Sequence, residues 1–472
     1  MNAGKLPSIT QSANNAGKGH GIEWVRRFWP LWLLLGLVAV FFWDSIFAHK
    51  VLCLRDPAYG LLNAPQFVSK ALKTHEFFPL WNPFIGHGKP HLADPESAFF
   101  YPIHWLYYLL PVSRALVMSY SFCVAMTGIS VFALARHWKL GVFPSLCGAV
   151  SMMFSTWLIA TIEFRAHSST FTWGPLEWLI VSSLIERSRN EATAGVAKNF
   201  WRIVALAGTI SLQYFAGYPQ AMLYAQLFIG LYIGARCLWL RDGKLPLRMG
   251  LPLGLAGVIT AGLCMAQFLP SWQFIQYSER GISIDPGLEM ASFHPRQLLT
   301  LLFPYLYGRT GYPQEYWGPT MFEFWLGTCY IGIFPLIAAT FSPFCLKRFT
   351  GKDGNELHRF LFFFCCGAAG LGLLLAAGKY TPVYMACYNF LPGFGHFRWP
   401  SKFLVFLLYT LCILSALGLQ QLLDWKRRGR YPKAVPGLLF AWFMLLASAG
   451  IGYVLAQGSP GFFGALTGDH FI

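Results

Sequence analysis

The sequence is poor in charge. Asp, Glu, Lys and Arg together make up 12% of its 472 residues, roughly half the share of a soluble globular protein. That scarcity excludes an ordinary water-soluble enzyme, and a hydrophobic content of 55% excludes a disordered chain. Common catalytic motifs are missing too. There is no G-x-x-x-x-G-K-[ST], no H-E-x-x-H and no G-x-S-x-G, so no phosphate loop, zinc helix or nucleophile elbow is encoded. No basic stripe is interleaved with aromatics outside the apolar runs, which argues against nucleic acid as the partner behind the net charge of +16. Internal repeats are absent, as is any C-x-x-C framework among the 11 cysteines. Most of them (Cys123, Cys147, Cys264, Cys329, Cys365, Cys366 and Cys412) lie in apolar runs, where a thiol behaves as a small hydrophobe. Cys53 and Cys387 fall in segments expected to face outward, where a disulfide between them stays open.

Apolar runs dominate what remains. A membrane span needs about 20 mostly apolar residues. The first run, Phe28 to Phe47, follows Arg26 and Arg27. Ten more lie near 113–135, 141–161, 168–185, 202–216, 219–238, 251–271, 323–344, 360–378, 402–423 and 435–456. The fold class expected is therefore an all-α polytopic membrane protein with about eleven transmembrane helices. Residues 1–22, rich in Gly, Asn and Ser, read as a disordered cytoplasmic tail, and 23–472 as a single transmembrane domain.

Orientation follows from Lys and Arg, which favour cytoplasmic loops. Of the 36, 23 fall in the tail and in segments 136–139, 186–202, 236–248, 347–359 and 426–433. The N-terminus is thus expected inside and, with an odd span count, the C-terminus outside. Most acids (Asp56, Asp94, Glu96, Glu163, Glu279, Glu315 and others) fall on the other side, with the long outer loops 48–112 and 272–322. Loops of such length in a compact domain are usually functional. Chemistry is therefore expected on the outer face of a cytoplasmic membrane.

The first of these loops is the more informative. Asp56 comes shortly after the first span, and a helix of roughly 61–76 follows. Then comes PLWNPFIGHGKPHLADPESAFFYP, residues 79–102, in which aromatics alternate with Pro, Gly, Asn and His. Irregular backbone of this kind is tolerated near lipid only when buried in protein or lining a wet cavity. A carboxylate at such a rim can act as general base or hold a divalent cation. Against this, Asp56 can cap the following helix and Asp94 can open an Asp-Pro turn. His87, His91 and His104 have no carboxylate-rich partner set at a convincing spacing, so metal is left open.

The 79–102 string closely resembles the first outer loop of YfhO-type bacterial membrane proteins, members of the GT-C superfamily of polyprenyl-phosphate-sugar-dependent glycosyltransferases. Shorter resemblances follow: Ala166-His167 with Trp173-Gly174-Pro175-Leu176, the turn Gly217-Tyr218-Pro219-Gln220, Phe322-Glu323 with Tyr330-Ile331-Gly332, and Phe397-Arg398-Trp399-Pro400-Ser401-Lys402. Phe324 stands where the family has Gly, and Lys402 where it has Arg.

The resemblance implies an integral-membrane glycosyltransferase that moves a sugar from an isoprenoid-phosphate donor to an envelope glycopolymer or glycolipid, with a divalent cation as an open possibility. It implies Asp56 as the catalytic base, with Asp94 and Glu96 next. The donor phosphate needs cations, for which Arg398, Lys402, Arg280 and His167 are the candidates, Arg being suited to bidentate contact. Arg398 and Lys402 can also snorkel to the headgroups, and Arg165 can pair with Glu163. Trp81, Asn82, Tyr218 and Gln220 are candidates for the acceptor cavity. Two other functions compete: a transporter or flippase of lipid-linked sugars, and a non-catalytic scaffold for envelope assembly. A transporter calls for inverted repeats and ions near the midplane, neither of which is apparent in the sequence.

Overall fold

The computed structural model describes residues 28–48, 50, 63–73, 79–162, 164–190, 196–278, 288–307, 318–319, 327–346, 354–391, 394–396, 398–429 and 431–458. Helices dominate them. The chain runs through α1 (Phe28–Phe41), α2 (Asn63–Lys73) and a hairpin of strands β1 (Trp81–Asn82) and β2 (Lys89–Pro90). Then follow α3 (Val112–His137), α4 (Val142–Met153), α5 (Arg165–Phe171), α6 (Gly174–Asn190), α7 (Val196–Phe215), α8 (Pro219–Leu240) and α9 (Leu245–Gln276). The last five are α10 (Ile333–Ala339), α11 (Gly354–Ala376), α12 (Pro382–Phe390), α13 (Leu404–Arg428) and α14 (Ala434–Gly458).

Among the described residues, six helices are long and apolar enough to cross a membrane: α3, α4 with its continuation to Thr161, α8, α9, α11 and α13. The protein is a multi-pass α-helical membrane protein. Two of the remaining expected spans look different. The run at 168–185 is two helices, α5 and α6, parted at Thr172-Trp173. Pro175 in the first turn of α6 explains the break, because it supplies no N–H to the helix before it. In the 323–344 run, residues 327–332 are not helical. Thr156 donates its N–H to the Tyr330 carbonyl (2.9 Å), and Tyr330 donates its own to Thr156 Oγ1 (3.0 Å). Helix α10 begins only after Gly332.

The chain divides into two compact units, one up to Leu419 and one from Gln420 onward. Among the six, α13, which crosses the boundary between the units, is the central helix: 83% of its most apolar stretch is buried, against 28% for α9. Gly418 allows that centrality, since a Cβ there would lie 1.8 Å from the Ala338 carbonyl oxygen of α10. Small residues at such crossings let helices approach closely where no water drives them together. The exposed side of α9 carries Leu247, Leu251, Val258 and Leu263, an apolar face suited to lipid. In the second unit, α14 likewise exposes Phe440, Phe443 and Met444.

Residues 79–105 form a folded platform beside the helix ends. The hairpin pairs Trp81 with Pro90 and Asn82 with Lys89. Asp94 caps a short turn, Pro95–Ser97, accepting from the Glu96 N–H at 3.2 Å. Helix α2, within the expected 61–76, turns Phe67, Val68 and Ala71 inward and leaves Lys70 exposed.

Candidate functional site

The bundle grips the platform by its main chain. Gln267 Nε2 donates to the Leu92 carbonyl (2.7 Å) and Ser271 Oγ to that of Ala93 (2.8 Å). Arg165 Nη2 donates to the Glu96 carbonyl (3.2 Å), with its guanidinium over the Tyr107 ring at 5.5 Å. Gly217, at φ of 93°, fits beneath the Pro95 carbonyl, whose oxygen lies 2.2 Å from where a Cβ would sit. The Gly217-Tyr218-Pro219-Gln220 turn is thereby set against the Asp94–Ser97 turn.

The same turn reaches a second segment, far off in sequence. Lys402 is 3% exposed and points inward, rather than snorkelling toward the headgroups. Its ammonium donates to the Tyr218 hydroxyl and to Gln220 Oε1 (3.3 Å). It also sits 4.3 Å from the Trp399 ring centroid and 4.8 Å from that of Tyr218, within cation–π range. Gln220 is fully used: its Nε2 donates to the Arg398 carbonyl and the Tyr224 hydroxyl, both at 2.6 Å, while Oε1 also accepts from the Tyr218 hydroxyl (3.2 Å). His167 closes the group, its ring edge-on to Tyr218 at 4.6 Å and packed on Trp157 and Phe171. The Arg398 guanidinium stacks 4.9 Å from Trp399. Trp399 itself has a left-handed backbone, φ 73°, a costly conformation for a bulky residue and one that gathers at functional sites.

Five expected site residues therefore converge: His167, Tyr218, Gln220, Arg398 and Lys402. Asp94 lies on the turn that Gly217 packs against, its carboxylate paired with Lys89 Nζ at 2.7 Å. It is thus both a turn cap and an ion-pair partner. The Glu96 side chain is exposed. Trp81 lies over Gly88 and Asn82 Oδ1 accepts from the Phe84 N–H (2.9 Å), so both shape the hairpin. No hydrogen bond or ring contact among the described residues joins either to the Lys402 group. Asp56, Arg280, Glu163 and Cys53 lie outside the described residues, and Cys387 carries a free thiol.

Burial decides the loop histidines. His91 is held at about 4, by burial first, with Asp94 opposing and Arg165 and Lys89 adding to the fall. Burial also pushes His104 well below its usual value. Among the described residues, no group of three or more His, Cys, Asp or Glu is placed to hold a metal ion.

Sequence reasoning missed one buried acid. Glu177, on α6, is 1% exposed. Its Oε2 accepts from Gln213 Nε2 of α7 (2.7 Å) and Gln226 Nε2 of α8 (3.1 Å), and Gln226 Nε2 also donates to Gln213 Oε1 (3.2 Å). A lone Glu in an apolar run, with Gln in two later runs, was the available signal. No protein-family model and no curated protein matches the chain.

Proposed function

We propose that the protein is an integral-membrane glycosyltransferase that takes a sugar from a polyprenyl-phosphate donor and passes it to an envelope glycopolymer or glycolipid on the outer face of the cytoplasmic membrane. The observation that supports this reading is the convergence of Lys402, Tyr218, Gln220, His167 and Arg398 beside the platform turn carrying Asp94 and Glu96. The cations suit a phosphate, and the polar groups suit a sugar. The reading adds the family resemblance of the 79–102 string and takes the other apolar segments as spans, eleven in all, with the N-terminus inside.

In this mechanism an acceptor hydroxyl gives its proton to the Asp56 carboxylate. The hydroxyl oxygen bonds to the anomeric carbon as the bond from that carbon to the phosphate oxygen breaks. Polyprenyl phosphate leaves, and the anomeric centre inverts. A positioned base contributes roughly 10²- to 10⁴-fold to such a step. Arg398, Lys402 and Arg280 take up the charge on the departing phosphate, with His167 beside them.

The test is release of polyprenyl phosphate by the purified protein from a panel of lipid-linked sugars, with envelope glycopolymer as acceptor. Release dependent on acceptor supports the transferase. Transbilayer movement of an intact lipid-linked sugar, with no release, supports the second reading, a transporter. That reading draws on the enclosed Glu177–Gln213–Gln226 cluster, since ionisable groups within membrane bundles mark transport and proton paths.

A further inference from the structure

The Glu177 carboxyl of α6 is met by α7 and α8, and each of those two helices supplies a polar group to it. On α7 and α8 these are the amides of Gln213 and Gln226. On α13 the hydroxyl of Tyr409 donates to the Phe171 carbonyl at 2.8 Å and not to Glu177. Among the described residues no Lys, Arg or His pairs with Glu177. A carboxylate fully removed from water with no cation beside it is among the costliest arrangements a protein interior can hold, and it is relieved by taking up a proton.

The hydrogen bonds say where that proton goes. Both amide N–H donors converge on Oε2, and Gln226 ties itself to Gln213 Oε1 at the same time. That ring of bonds fixes both amide orientations. It makes Oε2 the acceptor oxygen of the group. Oε1 makes no hydrogen bond among the described residues, so it is the oxygen free to carry hydrogen. A neutral carboxylic acid with a carbonyl-like Oε2 and a hydroxyl at Oε1 is compatible with both amide bonds.

We propose that Glu177 is a proton-binding site within the helix bundle, holding a proton on Oε1 at neutral pH. The proposal stands on the burial and hydrogen bonds of this cluster and is independent of the glycosyltransferase reading. Loss of the proton leaves an unpaired negative charge between α6, α7 and α8, and so loosens their packing.

Infrared difference spectroscopy of the purified full-length protein tests it. A protonated carboxyl gives a carbonyl stretch separate from the amide and carboxylate bands, and that stretch shifts in heavy water. The wild-type protein at neutral pH is expected to show this band, and Glu177→Gln to lose it while remaining folded, since the amide mimics the neutral acid. Incorporation of isotope-labelled glutamate shifts the band in the wild-type protein, and so makes the same assignment without any variant. A wild-type spectrum lacking the band at neutral pH overturns the proposal. A band that persists in Glu177→Gln, or that labelled glutamate does not shift, overturns it as well.

Discussion

Acidification is expected to open the 79–105 platform through His91. The imidazole is 4% exposed, with its ring edge-on to Phe67 (5.2 Å) and Phe99 (6.5 Å). It titrates at about 4 in the folded protein against 6.5 when free. Between those values the open state binds the proton and the closed state does not, so stability rises with pH across that window and is fully present above it. At about pH 5 the difference amounts to about 2 kcal/mol, or about 30-fold in the closing equilibrium. Hydrogen exchange of peptides from the platform, corrected for the intrinsic pH dependence of exchange, reads this directly as a protection factor. Protection should fall between about pH 7.5 and about pH 5 by about 30-fold more in the wild-type protein than in His91→Phe, which keeps an aromatic ring and removes the titration. His104 titrates in both proteins, so the difference between them isolates His91. Equal falls in the two would refute the reasoning.

Four other outcomes are expected. Gly217→Ala forces a Cβ into the Pro95 carbonyl at a positive φ, at a cost of about 1–3 kcal/mol for the backbone alone; a lower melting temperature and faster proteolysis within 79–105 check it, and unchanged behaviour rejects the docking described. Asp56→Asn should preserve insertion and donor binding while turnover falls by roughly 10²-fold or more; if it retains turnover and Asp94→Asn or Glu96→Gln abolishes it, the base lies in that pair. Arg398→Lys should weaken donor binding because a point charge loses bidentate geometry, and unchanged affinity in Arg398→Ala would retire the role. Reporter fusions after residue 96 should read as outside and those near 195 as inside; the reverse would invalidate the outer-face site.

Much of the helical frame could be read directly, because a lipid-facing helix must announce itself as a continuous apolar run. The runs at 113–135, 219–238 and 402–423 correspond to α3, α8 and α13. The break between α5 and α6 was hidden, since Thr172 and Trp173 continue an apolar pattern and the cause, Pro175, is a residue tolerated in a helix's first turn. The site was legible only in parts. Tyr218 and Lys402 stand 184 residues apart and meet only through packing. Snorkelling was the reasonable expectation for a Lys at a span end, yet Trp399, Tyr218 and Gln220 give it a better place inside. Glu177 stayed invisible because a single acid leaves a run's hydropathy nearly intact.

The bundle holds the platform by the carbonyls of Leu92, Ala93 and Glu96 and by the close fit of Gly217 under Pro95. A grip on the main chain is indifferent to the side chains it carries. Residues 93 and 96 are accordingly interchangeable positions on a fixed bracket, whereas Gln267, Ser271, Arg165 and Gly217 are the bracket's fittings, and Leu92 also packs its side chain against Phe67, Val68 and Phe99. A library varying the first set should retain folded protein across most of its members, and one varying the second should not. The same scaffold can thus present different chemistry on the platform by changing loop residues alone, with no adjustment to the helices that support them.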